Sequence, residues 1–482
     1  MARRRTIKHL SVGIIYAKRT VKMAEAKMIP PQENKMGTMP IGRLLATMST
    51  PMMISMLVQA FYNVVDSVFV SQISEDALNA VSLAFPLQQL IIAVCGGTAV
   101  GMNALLSRSL GAKQFDRANK IANSGIFLFI CSAIVFSFIG IFLSEPFFQA
   151  QTDVEQIVKY GTDYASVCLG CAIGICSQFC FEKLLQSTGR TMLSMVAQLV
   201  GAVINIVLDP ILIFGLFGMP RLEVLGAAIA TVSGQIMAAI LAIIFNIKFN
   251  KDIHISFKLI RWDSQIIKDI YKIGLPSIIM QSIGSVMTFT MNKILISFTT
   301  TATAVFGSYF KLQSFVFMPI FGLNNGMVPI IAYNYGAKRY DRVKKTITIT
   351  IITAIGIMFI GLLAFELIPH VLLSFFNASE EMLRIGVPAL RIIGTHYLFA
   401  GFCIIAGSVC QAIGKPVYSL IVSVCRQLVV LLPSAWLLSL SGRLELVWFC
   451  FPIAETVSLV LSSIFLSKTM RRAKEKMKDI II

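Results

Sequence analysis

Twelve stretches of this chain run nearly unbroken in apolar residues, each closed off by charged or turn-forming residues. They cover 43–69, 80–107, 119–143, 158–182, 191–216, 225–247, 270–297, 303–331, 344–369, 383–411, 416–440 and 445–467. A helix needs roughly 20 apolar residues to cross a bilayer. Each stretch therefore predicts one spanning helix, and the chain reads as an all-α polytopic membrane protein. The connections alternate in charge. Segments 108–120, 183–190, 248–272 and 338–345, Lys415, and the segment from Lys468 to Lys478 are rich in Lys and Arg. The connections between them carry Glu75 and Asp76, Glu145 through Glu155, Glu223, and Glu380 and Glu381. Because basic loops stay on the cytoplasmic side, the pattern predicts a multi-pass protein of the cell (inner or plasma) membrane with both termini cytoplasmic.

The chain also repeats itself at an offset of 225 residues, without a gap. Pro51 meets Pro276, Gly97 meets Gly322, and Gly101-Met102 meets Gly326-Met327. Gly111-Ala112-Lys113 meets Gly336-Ala337-Lys338, Asp116-Arg117 meets Asp341-Arg342, and Gln186 and Gly189 meet Gln411 and Gly414. Each copy holds six helices. Six is even, so both copies enter the membrane in the same direction, related by an axis along the membrane normal. The expected architecture is two six-helix lobes around a central cleft. The divisions are a basic N-terminal tail (1–40), an N-lobe (41–248), an inter-lobe linker (249–269), a C-lobe (270–468) and a basic C-terminal tail (469–482). A repeat of this kind marks a transporter more often than a duplicated scaffold.

Composition narrows the function. Of 482 residues, 56% are hydrophobic and 14% charged, about half the charged share of a typical soluble chain. That excludes a disordered chain, a collagen-like fibre and an ordinary soluble enzyme. The net charge of +18 would suggest nucleic acid in a soluble protein; here the loops account for it, and no nucleic-acid partner is expected. The ten Cys lie inside apolar runs and the four His are scattered. Cys168-x-x-Cys171 has no second pair and no nearby His, so it is not a metal site. Met1 to Lys35 is basic, and its apolar run from Leu10 to Ala17 is short and has no clear small-residue cleavage site, so the segment reads as a cytoplasmic tail or an over-extension of the chain rather than a signal peptide. The chain has no G-x-x-x-x-G-K-[ST], no H-E-x-x-H and no G-x-S-x-G. No enzyme activity and no cofactor are expected, and transport must draw on an ion gradient.

Ionisable groups within a bilayer are costly and mark function. Asp66 lies in the outer half of helix 1, with Tyr62 or Asn63 and Gln59 near the same face. Pro51 predicts a kink below it. Asn205 and Asp209 stand four residues apart on helix 5, and Asp209 lies ~27 Å along that helix from Thr191, again in the outer half. Thr231 on helix 6 adds a hydroxyl. Two carboxylates, an amide and a hydroxyl make a hard-oxygen site suited to Na⁺, and two acids held close also favour keeping a proton between them. No other metal is expected. At the repeat offset Asp66, Asn205 and Asp209 face Met291, Val430 and Ser434: the scaffold is duplicated and the acids are not. Arg426 and Glu455, each mid-helix, read as a structural pair. Lys293 and Lys311 read as snorkelling toward the outer side, and Glu182 and Glu366 as wet helix ends. Candidate substrate contacts are Gln59, Tyr62, Asn63, Gln89, Gln281, Met287 and Met291, polar or adaptable groups on helices 1, 2 and 7.

With these residues in hand, the chain resembles the multidrug and toxic compound extrusion (MATE) family over about residues 41–468, in the style of its bacterial MepA-like branch. The resemblance is carried by Pro51 through Asp66, the Gly-Ala-Lys segments after helices 2 and 8, Gln186-Ser187-Thr188-Gly189-Arg190, and Asn205 through Phe214. It implies a cation-coupled antiporter that expels bulky, often cationic amphipathic compounds, with small-molecule drugs and the bilayer as partners, acting as a monomer. It also implies that Asp66, Asn205, Asp209 and Thr231 form the H⁺ or Na⁺ site. Another branch places acids in helices 7 and 10; this chain has Lys293, Arg391 and His396 there. The competing reading is a flippase for lipid-linked saccharides from the same wider superfamily, which would want a basic cavity.

Overall fold

The computed structural model describes residues 33–256, 260, 262–376 and 378–478. Of the expected basic tails and linker, residues 1–32, 257–259, 261 and 479–482 lie outside the described residues. Within them the spans are α1 (Ile41–Ser71), α2 (Glu75–Gly111), α3 (Phe115–Phe142), α4 (Glu155–Gly170 with Ile173–Ser187), α5 (Thr191–Phe214) and α6 (Glu223–Phe249). The second six are α7 (Ser264–Ile296), α8 (Thr300–Gly336), α9 (Tyr340–Leu367), α10 (Glu380–Gly394 with Tyr397–Ala412), α11 (Pro416–Ser439) and α12 (Cys450–Lys478). Ten are long and apolar enough to span alone, and α4 and α10 complete twelve as bent pairs, at 42° and 49°. No strand occurs among the described residues.

Several helices outrun their apolar stretches, because backbone hydrogen bonds and caps carry them into the polar ends. Ser74 caps α2 by accepting from the Ala77 amide, and Asp263 caps α7 by accepting from Ile266. As a result α7 takes the last residues of the expected linker, and α12 takes most of the expected C-terminal tail. The 225-residue offset holds in the backbone itself. The broken helices start at Glu155 and Glu380, and short helices Ser144–Gln149 and Pro369–Ser374 precede both. Lys113 and Lys338 adopt the left-handed conformation at φ 58° and 59°, and Gly189 and Gly414 at 84° and 85°. That conformation is what turns the chain sharply after each helix.

The lobes meet through α1 against α8 and α2 against α7, and small residues set the separation. A Cβ added to Gly97 would stand 2.8 Å from the Gly274 carbonyl oxygen, and one on Gly274 would stand 2.9 Å from that of Gly97. Gly101 abuts the Ile270 carbonyl and Gly111 the Tyr333 carbonyl. The second copy repeats each contact in the opposite sense: Gly322 abuts Met53, Gly326 abuts Ser49, and Gly336 abuts the Arg108 carbonyl. Adding 225 to one member and removing it from the other turns Gly97–Ile278, Gly101–Gly274 and Gly111–Tyr333 into Gly322–Met53, Gly326–Ser49 and Gly336–Arg108. The interface is therefore two-fold, as parallel repeats require.

All of these contacts lie at the end that carries the basic loops. There the segment before α1 ties the lobes together. Asn34 Nδ2 donates to the Thr188 carbonyl (3.0 Å) in the first lobe and to Asp252 Oδ1 (3.2 Å) in the segment after it. Asn334 Nδ2 donates to the Met36 carbonyl (3.0 Å), and Arg342 Nη2 to the Met36 and Met39 carbonyls (3.0 and 2.8 Å), from the second. Met36 is fully buried, so residues 34–39, assigned to a tail from sequence, are a docked strap. Burial and the neighbouring Arg190 charge hold the Lys35 ammonium below its usual range.

If glycine contact closes this end, Gly326→Val should hold α8 away from α1. Spin labels at Lys113 and Lys338, one in each lobe, should report a short, narrow distance in the parent protein and a longer, broader one in the variant. An unchanged distribution would mean that the glycine contact does not set the closure.

Candidate functional site

Ser55, Gln59, Tyr62 and Asp66 follow one another at steps of four, three and four along α1, and so share a face. Gln198, Asn205 and Asp209 do the same on α5, at steps of seven and four. The two helices pack together with these faces opposed. Ser55 Oγ donates to Gln198 Oε1, and Gln198 Nε2 donates to Gln59 Oε1 at 3.2 Å. Higher on the same seam the Asp66 and Asp209 carboxyl groups are neighbours. Tyr62 and Cys168 lie beside them.

Thr231 reaches the seam because α5 and α6 touch backbone to backbone. A Cβ on Gly201 would stand 2.7 Å from the Gly234 carbonyl oxygen, and one on Gly234 would stand 2.6 Å from that of Gly201. At that separation Asn205 Nδ2 lies 3.3 Å from Thr231 Oγ1 and 3.4 Å from Asp209 Oδ1. Asn205 and Asp209 are buried, Asp209 completely.

The electrostatics of this cluster are lopsided. Asp66 Oδ1, Asn205 Oδ1 and Asp209 Oδ2 are buried without a hydrogen-bond partner, and among the described residues neither acid has an ion pair. Three acceptor oxygens of one cluster lack a donor, which is costly in a low-dielectric interior. What the arrangement is short of is positive charge. Its all-oxygen donor set fits a hard monovalent cation or a proton. No group of three or more His, Cys, Asp or Glu suited to a metal ion occurs among the described residues.

Other sequence candidates scatter. Gln59 and Tyr62 belong to the seam, while Asn63 is exposed on the next face of α1. Gln89 is half-buried; its neighbour Gln88 makes the specific contact, donating to the Tyr164 hydroxyl at 2.9 Å. Gln281 lies against Gly96 where the lobes meet. Met287 lines a separate cavity in the C-lobe. Met291 is fully buried in the apolar core. Glu182, read as a wet helix end, is buried and accepts from Gln178 Nε2 at 3.0 Å. Its neighbour Lys183 donates to Gln186 and, across the lobes, to Asn325, both at 2.8 Å. Arg426 and Glu455 do pair, at 3.3 Å. Lys293 and Lys311 lie over the Phe289 and Phe376 rings, at 4.8 and 5.9 Å. Sequence reasoning missed Gln198, although its place seven residues before Asn205 put it on the same face.

The MatE family model matches this chain twice, over residues 51–211 and 276–437. The chain belongs to the MatE family. The two matches start 225 residues apart and coincide with the repeat seen in the sequence and the backbone. Among similar curated proteins is the multidrug export protein MepA of Staphylococcus haemolyticus (strain JCSC1435). It is 26% identical over 415 residues, covering 86% of this chain and 90% of the relative. The MepA protein of Staphylococcus aureus (strain MRSA252) is 26% identical over 412 residues, with 85% and 90% covered. A solved MATE in complex with MaL6 shares the fold at a TM-score of 0.87 and 24% identity, over 92% of this chain and 99% of that one. A MOP superfamily transporter from Pyrococcus furiosus matches at 0.86 and 24%, with the same coverage. MatE proteins are transporters, so this multi-pass chain is a transporter rather than an enzyme.

The donor deficit makes a stability prediction. Asp209→Asn removes a buried charge that has no ion pair, so without added Na⁺ at neutral pH it should raise the thermal unfolding temperature in detergent. A structural Asp209 would give the opposite result, a fall of several degrees, as for the loss of about 1–3 kcal/mol from a buried hydrogen-bonded group.

Proposed function

We propose that this protein is a secondary active multidrug antiporter, exporting amphipathic and cationic compounds from the cell in exchange for H⁺ or Na⁺. The observation that carries this reading is the cluster of unpartnered acceptor oxygens on Asp66, Asn205 and Asp209, at the top of a polar seam inside one lobe only. A static scaffold has no use for such a cluster, whereas a coupled transporter needs a group whose charge is exchanged in each cycle. The names of the MepA relatives support the substrate class. The basic loops support placing the glycine-closed end in the cytoplasm.

A cationic compound released from the cleft is replaced by a coupling cation at Asp66 and Asp209, with Asn205 and Thr231 supplying neutral oxygens. Neutralising the two acids removes their repulsion and lets α1 and α5 close on each other. Pro51 has no amide hydrogen to give, so α1 has one fewer internal hydrogen bond at that level and bends there most cheaply. Pro51 also lies two residues from both Ser49 and Met53, which meet Gly326 and Gly322 of the other lobe. A bend in α1 therefore acts directly on the inter-lobe contact. Drug and cation need only prefer different conformations for their fluxes to be coupled.

The test is ethidium efflux from proteoliposomes under an imposed ΔpH or ΔNa⁺, applied separately. One gradient should drive efflux and thereby identify the ion. Asp209→Asn should cut the gradient-driven rate by about tenfold or more, the loss of a coupling free energy of ~1–3 kcal/mol. Full efflux in Asp66→Asn and Asp209→Asn would overturn the site. No efflux under either gradient would overturn the function, in favour of lipid-linked saccharide translocation.

A further inference from the structure

The C-lobe holds a cavity of about 340 Å³ that the coupling scheme does not use. Its polar wall includes Arg426, Glu455, His396, Gln313 and Gln427, and its apolar wall includes Phe317 and Phe451. The repeat shows how it arises. Arg426 and Glu455 stand at the positions of Gly201 and Ala230 in the first copy, and His396 at that of Cys171. In the N-lobe, Gly201 lets α5 and α6 touch. In the C-lobe the same level carries two charged side chains, and α11 widens into a π-helical stretch over Cys425–Leu431. Such widened turns in an otherwise α-helical span recur at functional sites. Where one lobe is packed shut, the other is open and charged.

The Arg426–Glu455 pair is not closed on itself. A structural pair at this depth would be fork to fork, with both carboxylate oxygens engaged. Here a single contact joins Nη1 to Oε2 at 3.3 Å, and Glu455 Oε1 is buried without a partner. The Arg426 side chain is 29% exposed and that of Glu455 3%. The group offered to the cavity is thus the guanidinium. It has five N–H donors, and among the described residues it spends one, on Glu455. Donors held in a fixed planar fork beside aromatic walls suit a planar acceptor on an aromatic body.

We propose that this cavity is a binding site for aromatic carboxylates, with the ligand carboxylate on Arg426 and its ring system against Phe317 and Phe451. The cavity is within the range of small-molecule sites. The proposal rests on reading the chain as an exporter of small amphiphiles, and it adds an acidic class to the cationic one. It also assigns the lobes different work: cation exchange in the first, recognition of the acidic group in the second.

Two dyes on one xanthene scaffold test it: fluorescein, which carries a free carboxylate, and rhodamine 123, a cationic ester. Binding is read by fluorescence anisotropy on purified protein in detergent, with no gradient. The parent protein should bind both. Arg426→Gln should weaken fluorescein by about tenfold or more, as loss of a charge-assisted hydrogen bond would, and leave rhodamine 123 within about twofold. Arg426→Lys should recover only part of the loss, since an ammonium lacks the fork. The double variant Arg426→Gln, Glu455→Gln leaves no unpaired buried charge; it should fold and show the same selective loss. Equal effects on both dyes, or unchanged fluorescein binding in the double variant, would overturn the proposal. Gradient-driven ethidium efflux with no fluorescein binding would refute it while leaving the antiporter reading intact. Arg426-dependent fluorescein binding without efflux would do the reverse.

Discussion

Two lobes of a membrane protein cannot be held together by the hydrophobic effect, because lipid is as apolar as any side chain facing it. In this chain backbone contact does that work. Six glycines at the basic end, three from each copy, let α2 meet α7 and α8, and let α8 meet α1 and α2, at distances a methyl group would prevent. The contact is all-or-none: packed surfaces have discrete arrangements rather than a continuum. The same glycines that make the closure tight therefore also make it releasable as a unit. The docked segment of residues 34–39 fastens the closure at its edge with hydrogen bonds to both lobes.

On this symmetric frame the chemistry is asymmetric. The first copy carries Asp66, Asn205 and Asp209 where the second has Met291, Val430 and Ser434; the second carries Arg426, Glu455 and His396 where the first has Gly201, Ala230 and Cys171. Each lobe is polar at the places where the other is small or apolar. Each charged cluster is also left incompletely satisfied: unpartnered oxygens in the first lobe, unspent guanidinium donors beside an unpartnered oxygen in the second. Stability alone would remove both. Unpaired groups of this kind are what the proposed exchange of a cation in one lobe and an acidic ligand in the other would use.

Much of this was legible without coordinates, because the bilayer leaves few options. Backbone polar groups in lipid must bond within their own helix, so long apolar runs with charged ends mean spanning helices, and alternating loop charge gives their order. The offset between Pro51 and Pro276, or Gly111 and Gly336, could be read as a repeat, and its even helix count gave the parallel relation of the lobes. The intramembrane acids stood out because such residues are rare there. What misled was partial burial. Met291 and Met287 are alike in sequence, yet one is core and the other lines a cavity. Glu182 looked wet from its place near a helix end.

The twelve spans, the duplication and the identity of the costly groups can be read from the order of residues, since each depends on composition along the chain. Which of those groups meet depends on how the helices pack. Gln198 bridges Ser55 and Gln59, and Thr231 reaches Asn205, because Gly201 and Gly234 bring α5 and α6 into contact. Arg426 opens onto a cavity because the helix beneath it widens. Those outcomes depend on the distance between helices, and that distance is set jointly by residues far apart in the chain, so no local pattern encodes it.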